Sequence, residues 1–251
     1  MPERSRILIT GASSGLGEAM ARRWAGPGRT LVLAARRRDR LDALAHELAD
    51  TGTTVDVRTL DVTDPDSVAD TISSAAREHG GLDRVVVNAG VGGGVALGTG
   101  RADVNRRTLV TNTVAAFDQA DAAMSVFREQ GDGHLVLVAS VAGVRGLPGA
   151  SSAYSASKAA VIALGQGLHA ELVASRSRIR VTTVLPGFIA TAINEGRRPP
   201  GVLTATLDKG ADALVTAIDS ERRRAVVPAL PWTPIARLLP LLPDRLAGRA
   251  G

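Results

Sequence analysis

The sequence predicts an α/β fold, a doubly wound parallel sheet in a single domain. Three observations carry that expectation. Seven short runs rich in Val, Ile, Leu and Ala recur along the 251 residues, separated by longer Ala-rich stretches with helical spacing. The runs are apolar throughout rather than alternating, the pattern of strands covered on both faces. A glycine-rich turn follows the first run and leads straight into a helical stretch.

Taken in order, the strands are expected at Ile7 to Thr10, Leu31 to Ala35, Val55 to Leu60, Val85 to Asn88, Leu135 to Ala139, Val181 to Leu185 and Ala225 to Val227. Helices are expected near 16 to 26, 39 to 50, 66 to 79, 103 to 130, 153 to 174 and 207 to 221, where apolar residues recur at helical spacing with few breakers. Alternating strands and helices imply right-handed crossovers in one parallel sheet. No mixed Gly, Ser and Pro linker divides the first 190 residues, so 1–251 is read as one domain. Two parts stand out: a loop region at 188–207, and an apolar, Pro-rich extension at 229–251. In the extension Pro228, Pro231, Pro234, Pro240 and Pro243 punctuate Trp232, Ile235, Leu238, Leu239, Leu241 and Leu242. So much apolar surface must be covered. Packing on the domain or at a subunit interface is the plainer reading, with a lid or a membrane-surface contact as alternatives.

Composition narrows the function. There is no cysteine, which rules out disulfides and thiolate chemistry and fits a reducing, cytoplasmic setting. His46, His79, His134 and His169 lack ligand spacing, so no metal is assigned. The N-terminus has no secretory pattern, and no run of roughly 18 apolar residues suggests a transmembrane segment. The formal charge of +5 comes from arginines spread along the chain. With two tryptophans, one tyrosine and three phenylalanines there is no stacking platform, so no nucleic-acid partner is expected.

The turn after the first strand reads Thr10-Gly11-Ala12-Ser13-Ser14-Gly15-Leu16-Gly17. Glycines there let the backbone approach a pyrophosphate while the helix N-terminus supplies partial positive charge. Gly11, Ser13, Ser14, Gly15, Leu16 and Gly17 are therefore candidate cofactor contacts. At the end of the second strand, where NAD-binding folds place an acidic residue, stands Ala35-Arg36-Arg37-Arg38. A guanidinium there grips a 2′-phosphate that a carboxylate would repel, so NADP(H) is favoured over NAD(H), with Arg36 foremost and Arg37 beside it. The alternative is a solvated helix start in which Asp39 competes for the arginines. Asp61 can accept from the adenine amino group and Val62 can cover the ring, while Asp64 caps the next helix ahead of Pro65. Asn88-Ala89-Gly90 ends the fourth strand with small residues beside the cofactor path.

The chemistry is carried by Tyr154-Ser155-Ala156-Ser157-Lys158, in which the chain's one tyrosine and Lys158 share a helix face. An ammonium about 4 Å from a phenol contributes roughly 4 kcal/mol at an effective dielectric near 20, or about 3 pKa units. That brings the phenol into the range of general acid–base catalysis. Ser140, ending the fifth strand, can hydrogen-bond the reacting oxygen, and Asn112 is a fourth candidate.

Thr10 to Gly17, Asn88-Ala89-Gly90, Asn112, Ser140, Tyr154, Lys158 and Pro186-Gly187 resemble, in order, the motifs of the short-chain dehydrogenase/reductase family over residues 5 to about 191. The resemblance implies a Rossmann-type sheet in the order 3-2-1-4-5-6-7. It also implies a catalytic tetrad: Tyr154 as acid–base group, Ser140 positioning the carbonyl, Lys158 holding the nicotinamide ribose, and Asn112 holding a relay water. Tyr154 and Lys158 thus count among the cofactor contacts, and Pro186, Gly187, Ile189 and Thr191 are carried over as contacts to the nicotinamide end. Three departures occur: Val87 precedes Asn88 where a second Asn is usual, Ala139 replaces a frequent serine, and the Ser140–Tyr154 spacing is one residue longer than the commonest.

The expected function is NADP(H)-dependent hydride transfer between nicotinamide and an alcohol or ketone, by a homo-oligomer, dimer or tetramer, as the resemblance implies. The alternatives are a non-catalytic NADP-binding regulator on the same fold and an arginine-rich nucleic-acid binder. Substrate choice is expected to lie in 92–100, 141–153 and 188–207, with Val91, Val95, Leu97, Val144, Leu147, Phe188 and Ile193 as an apolar lining. Arg197 and Arg198 are read as a solvated loop.

Overall fold

In the computed structural model, which describes residues 4–191, 203–243 and 245, the expected sheet forms. Its strands are β1 (Arg6–Thr10), β2 (Thr30–Ala35), β3 (Thr54–Thr59), β4 (Arg84–Val87), β5 (His134–Val138), β6 (Arg180–Pro186) and β9 (Arg224–Val227). All pair in parallel, in the order β3-β2-β1-β4-β5-β6-β9, which is the order the resemblance implied. A separate short pair, β7 (Phe188–Ile189) and β8 (Thr204–Ala205), lies outside the main sheet.

Successive strand residues point to opposite faces, so each continuous apolar run feeds two cores. Leu8, Val32, Val85, Leu135 and Val181 pack under α3 (Pro65–Glu78), α5 (Ala115–Gln130) and α6 (Ser152–Ala174). Ile7, Leu31, Val86, Val136 and Val184 pack under α1 (Gly15–Trp24), α2 (Arg38–Ala49) and α7 (Leu207–Asp219). Each fully buried Leu, Ile or Val contributes about 1.5–3 kcal/mol, and both faces are filled this way. Asp64 caps α3 as expected, accepting from the Ser67 N–H, with Pro65 in the first turn.

Two expectations change. The stretch read as one helix over 103–130 divides into α4 (Ala102–Leu109), a π turn (Val110–Val114) and α5. A π turn adds one residue without interrupting the hydrogen-bonded ladder, and no glycine or proline marks it, so the helical reading runs through it. Within it, the Asn112 side chain is buried. The C-terminal extension also has structure: α8 (Ala229–Leu238) followed by a 3₁₀ turn over Leu239–Leu241. Backbone angles are non-helical at Leu230, so Pro231 opens the first regular turn, where a missing N–H costs no helical bond, while Pro234 lies inside the helix and forgoes one.

The amino edge of the sheet is cross-linked by charge. Arg4 pairs with Asp132 and Glu221, each at 2.8 Å, and Arg6 pairs with Asp83 at 2.7 Å. Buried Arg84 reaches Asp219 at 2.6 Å, lies over the Trp24 ring, and donates to His134 Nδ1 at 3.0 Å. His134 Nε2 lies 2.8 Å from the Thr182 hydroxyl. No helix among the described residues is long and apolar enough to cross a membrane.

Candidate active site

The carboxyl ends of β1, β4, β5 and β6 open on a cavity of about 1450 Å³. At its nucleotide end, Gly11 and Gly15 adopt left-handed φ of +67° and +59°, which a side chain would strain. A Cβ on Gly11 would lie 2.9 Å from Ala89 Cα, and one on Gly17 would lie 2.4 Å from Gly11 O. Gly17 does not line the cavity; it lets the first turn of α1 close behind the loop. The Asn88 amide donates to Thr10 O at 2.9 Å, and Thr10 Oγ1 accepts from the N–H groups of Asn88 and Ala89. These bonds turn β4 off the sheet after Val87, one residue earlier than expected. Ser14 stands at the N-cap of α1 with no side-chain cap bond, so the first N–H groups of the helix face the cavity end uncapped.

Arg36 and Arg37 both line this end. They differ in setting. Arg37 donates to Ser14 Oγ at 2.6 Å and to Ser13 Oγ at 3.0 Å, so its guanidinium is fixed on the phosphate loop. Arg36 is exposed. Its charge is one cause of the lowered Asp61 pKa, although the larger cause is the Thr63 N–H bonded to that carboxylate. Asp61 and Val62 line the cavity with Asn88, Ala89 and Gly90.

At the reacting end, Lys158 is 6% exposed and its ammonium donates to Val138 O at 2.9 Å. Burial pushes its pKa down to about 8. Nζ lies 5.9 Å from the centroid of the Tyr154 ring, as the shared helix face requires. Tyr154 is half-buried and lines the cavity with Ser140. The Ser140 hydroxyl accepts from Ala142 N–H at 3.1 Å, which opens a 3₁₀ turn over Val141–Gly143. A Cβ on Gly143 would lie 2.6 Å from the Lys158 carbonyl carbon. That glycine presses the Ser140 turn onto α6; isolated from any spacing rule, it carried no sequence signal.

Asn112 approaches from behind the cavity. Its amide exchanges bonds with the Val91 backbone, accepting at 2.8 Å and donating at 2.9 Å, and it also donates to Ser157 Oγ at 3.3 Å. Ser157 in turn donates to Tyr154 O. Asn112 therefore fixes the end of β4 against the helix that carries the Tyr–Lys pair. A Cβ on Gly90 would lie 3.1 Å from Asn112 Oδ1 and 3.6 Å from Lys158 Nζ, which accounts for glycine there. Pro186, Gly187, Ile189 and Thr191 line the far side, where the Thr191 hydroxyl donates to Ile189 O at 3.4 Å. No group of three or more metal-ligating side chains occurs among the described residues.

The expected apolar lining needs correction. Val91, Leu147 and Phe188 do line the cavity, whereas Val95, Leu97 and Val144 do not. Val95 is held away by a two-way bond to the Asn105 amide, and Leu97 is 78% exposed. Val144 packs against the core instead. Ile193, Arg197 and Arg198 lie outside the described residues. The missing wall comes from the C-terminus: Trp232, Ile235 and Leu239, with Leu203. Nothing in the local pattern of the extension marks these three as facing a cavity.

The family model described as short chain dehydrogenase matches residues 5–200. An uncharacterized oxidoreductase of Mycobacterium tuberculosis H37Rv is 46% identical over 248 residues, covering 98% of this chain and 97% of that protein. An uncharacterized oxidoreductase of Myxococcus xanthus is 40% identical and spans 74% of this chain and 72% of its own. Among solved structures, a short-chain type dehydrogenase/reductase from Mycobacterium marinum superposes with a TM-score of 0.78 at 30% identity, covering 88% of this chain and 92% of the other. An alcohol dehydrogenase from the archaeon Thermococcus sibiricus, complexed with 5-hydroxy-NADP, gives a TM-score of 0.77 at 28% identity, covering 89% and 95%.

Proposed function

The chain belongs to the short-chain dehydrogenase/reductase family of NAD(P)-dependent oxidoreductases acting on CH–OH and C=O groups, and we propose that it is an NADP(H)-dependent reductase of apolar ketones. The carrying observation is the buried Lys158 ammonium beside the Tyr154 ring, both lining a largely apolar cavity.

The cradle fits a dinucleotide. Left-handed Gly11 and Gly15 and the uncapped start of α1 suit a pyrophosphate, and Arg37, fixed on Ser13 and Ser14, suits a 2′-phosphate with Arg36 beside it. When bound, the nicotinamide supplies the hydride for reduction or takes it in oxidation. The chain's own groups do the rest. In reduction Tyr154 passes its phenolic proton to the carbonyl oxygen as that oxygen gains charge; in oxidation the phenolate takes the proton back. Lys158 stabilises the phenolate, and its bond to Val138 O keeps the ammonium in place. Ser140 donates to the same carbonyl oxygen and orients it. Asn112, through Val91 and Ser157, holds the two sides of the site in register as a positioning residue. We place the protein in the cytoplasm, whose reducing conditions suit a chain without cysteine, and read it as a homo-oligomer. Leu109, Val114 and Phe117, exposed on α4, the π turn and α5, support a contact with a second copy.

The test is NADPH oxidation at fixed pH with ketones, aldehydes and quinones, run beside NADH. Turnover of apolar ketones with NADPH ahead of NADH is expected; turnover of quinones alone, or a preference for NADH, overturns the reading.

A further inference from the structure

The C-terminal extension supplies a wall of the cavity that the matched family region, which ends at residue 200, does not contain. Trp232, Ile235 and Leu239 are spaced by three and four residues and so share one face of α8 and the turn after it. All three line the cavity that holds Tyr154 and Ser140. Trp232 is 5% exposed, and its ring stands against Phe188 with centroids 5.6 Å apart, tilted by 42°. A Cβ on Gly187 would lie 2.4 Å from three indole atoms, so the indole rests on the backbone between β6 and β7. That backbone flanks the reacting end. Arg237 lies on the exposed face, so the wall presents apolar surface without charge.

The wall is also tied to the catalytic loop. Arg145, between Ser140 and Tyr154, donates to Leu239 O at 2.9 Å and to Leu242 O. These are carbonyls at the C-terminal end of the extension, where a helix leaves acceptors unused and favours a cation. The extension is thereby held against the segment that positions the acid–base group.

We propose that Trp232, Ile235 and Leu239 form a substrate subsite for a fused alicyclic or aromatic ring system, with Arg145 as the residue that positions it. The proposal rests on the oxidoreductase reading for its substrate class. Flat indole and phenyl surfaces meeting at an angle complement a rigid ring better than a flexible chain, because a rigid ring loses no rotamer freedom on binding.

The test compares cyclohexanone with 2-decalone as ketone substrates for the full chain with NADPH, in wild type, Trp232→Ala, Trp232→Phe and Arg145→Met. NADPH affinity is titrated alongside. Trp232→Ala is expected to lower kcat/KM for 2-decalone about tenfold or more through KM, with cyclohexanone changed less than about threefold and NADPH affinity unchanged. Trp232→Phe is expected to stay near wild type, and Arg145→Met to shift the ratio in the same direction as Trp232→Ala. Equal losses for the two ketones, or an unchanged ratio in both Trp232→Ala and Arg145→Met, overturn the proposal.

A binding readout separates it from the parent reading. In a Trp24→Phe background Trp232 is the one remaining tryptophan, and its emission is followed as 2-decalone is added to the NADP⁺ complex. Saturable change without turnover of any ketone sustains the subsite and sinks the reductase reading. Turnover of 2-decalone with no change in Trp232 emission does the reverse.

Discussion

The two edges of one sheet are built on opposite rules. At the amino edge, Arg4, Arg6, Arg84 and His134 find partners within the protein: carboxylates for the three arginines, and Arg84 and Thr182 for the histidine. At the carboxyl edge, the loops are rich in Gly, Ala and Ser, and they surround a cavity of about 1450 Å³. The first edge spends its polar groups on one another and gains rigidity; the second lines a cavity with hydroxyls, a phenol and the start of a helix. The difference teaches that stability and chemistry are separable here, because each edge depends on a different set of partners.

The sharpest way to test that separation is Tyr154→Phe. Removing one proton carrier while keeping the ring is expected to cut kcat on a good ketone about 10³-fold, leaving NADPH affinity and the melting temperature unchanged. A variant retaining a tenth of wild-type turnover would remove Tyr154 from the proton-transfer role. The converse is Arg4→Met. Its guanidinium and the Glu221 carboxylate are both buried, so deletion strands a charge and should cost about 3 kcal/mol in denaturant unfolding, with kcat unchanged in the folded protein. A stable Arg4→Met protein, or one with its catalytic rate altered, would break the comparison.

The carboxyl edge was the more legible of the two from sequence alone. Its glycines, the Tyr154–Lys158 spacing and the strand runs are local features, fixed by what a backbone turn or one helix face demands. Their order along the chain added specificity that no single motif had. What escaped was non-local. Arg4 meets Glu221 across 217 positions and Arg145 meets Leu239 across 94, and no periodicity links such partners. The π turn at 110–114 hid inside a helical pattern, and Leu97 looked like pocket lining because an apolar residue on a loop gives no sign of facing outward. Arg37, secondary to Arg36 in the sequence reading, proved to be the arginine seated on the phosphate loop, since only the folded turn brings Ser13 and Ser14 to it.

Cofactor choice probes the carboxyl edge more gently. NADP(H) is expected to bind at least about tenfold better than NAD(H), which needs only about 1.4 kcal/mol and lies within reach of one charge-assisted contact. Ala35→Asp with Arg36→Leu should reverse that preference, because the new carboxylate accepts from ribose hydroxyls and repels a 2′-phosphate. Both cofactors are titrated at one ionic strength, since salt weakens the phosphate contact selectively. If the double variant keeps the wild-type ratio, discrimination belongs to Arg37 and the loop. Arg37→Leu should then abolish it.

The smallest expected effect belongs to the amino edge and to one proton. His134 is buried, with Arg84 donating to Nδ1, Arg4 nearby and Glu221 at 3.8 Å, and burial first, then the two arginine charges, hold its pKa well below 6.5. The unfolded chain takes up a proton near pH 6.5 that the folded chain refuses, so stability is full above that pH and falls as pH drops through it. Between pH 7.5 and 5.5 one such group removes about 1.4 kcal/mol. Asp83 and Asp56 lie outside this window because their folded values sit below 3.8, and Lys158, at about 8, lies above it. Urea midpoints at the two pH values, in wild type and in His134→Asn, isolate the term: the variant should lose that part of the pH dependence. Turnover should not follow the same curve, because the folded protein does not take up this proton and His134 lies on the edge that performs no chemistry. A kcat that tracked the unfolding midpoint across this range, and lost that tracking in His134→Asn, would show the two edges to be coupled through the strands between them.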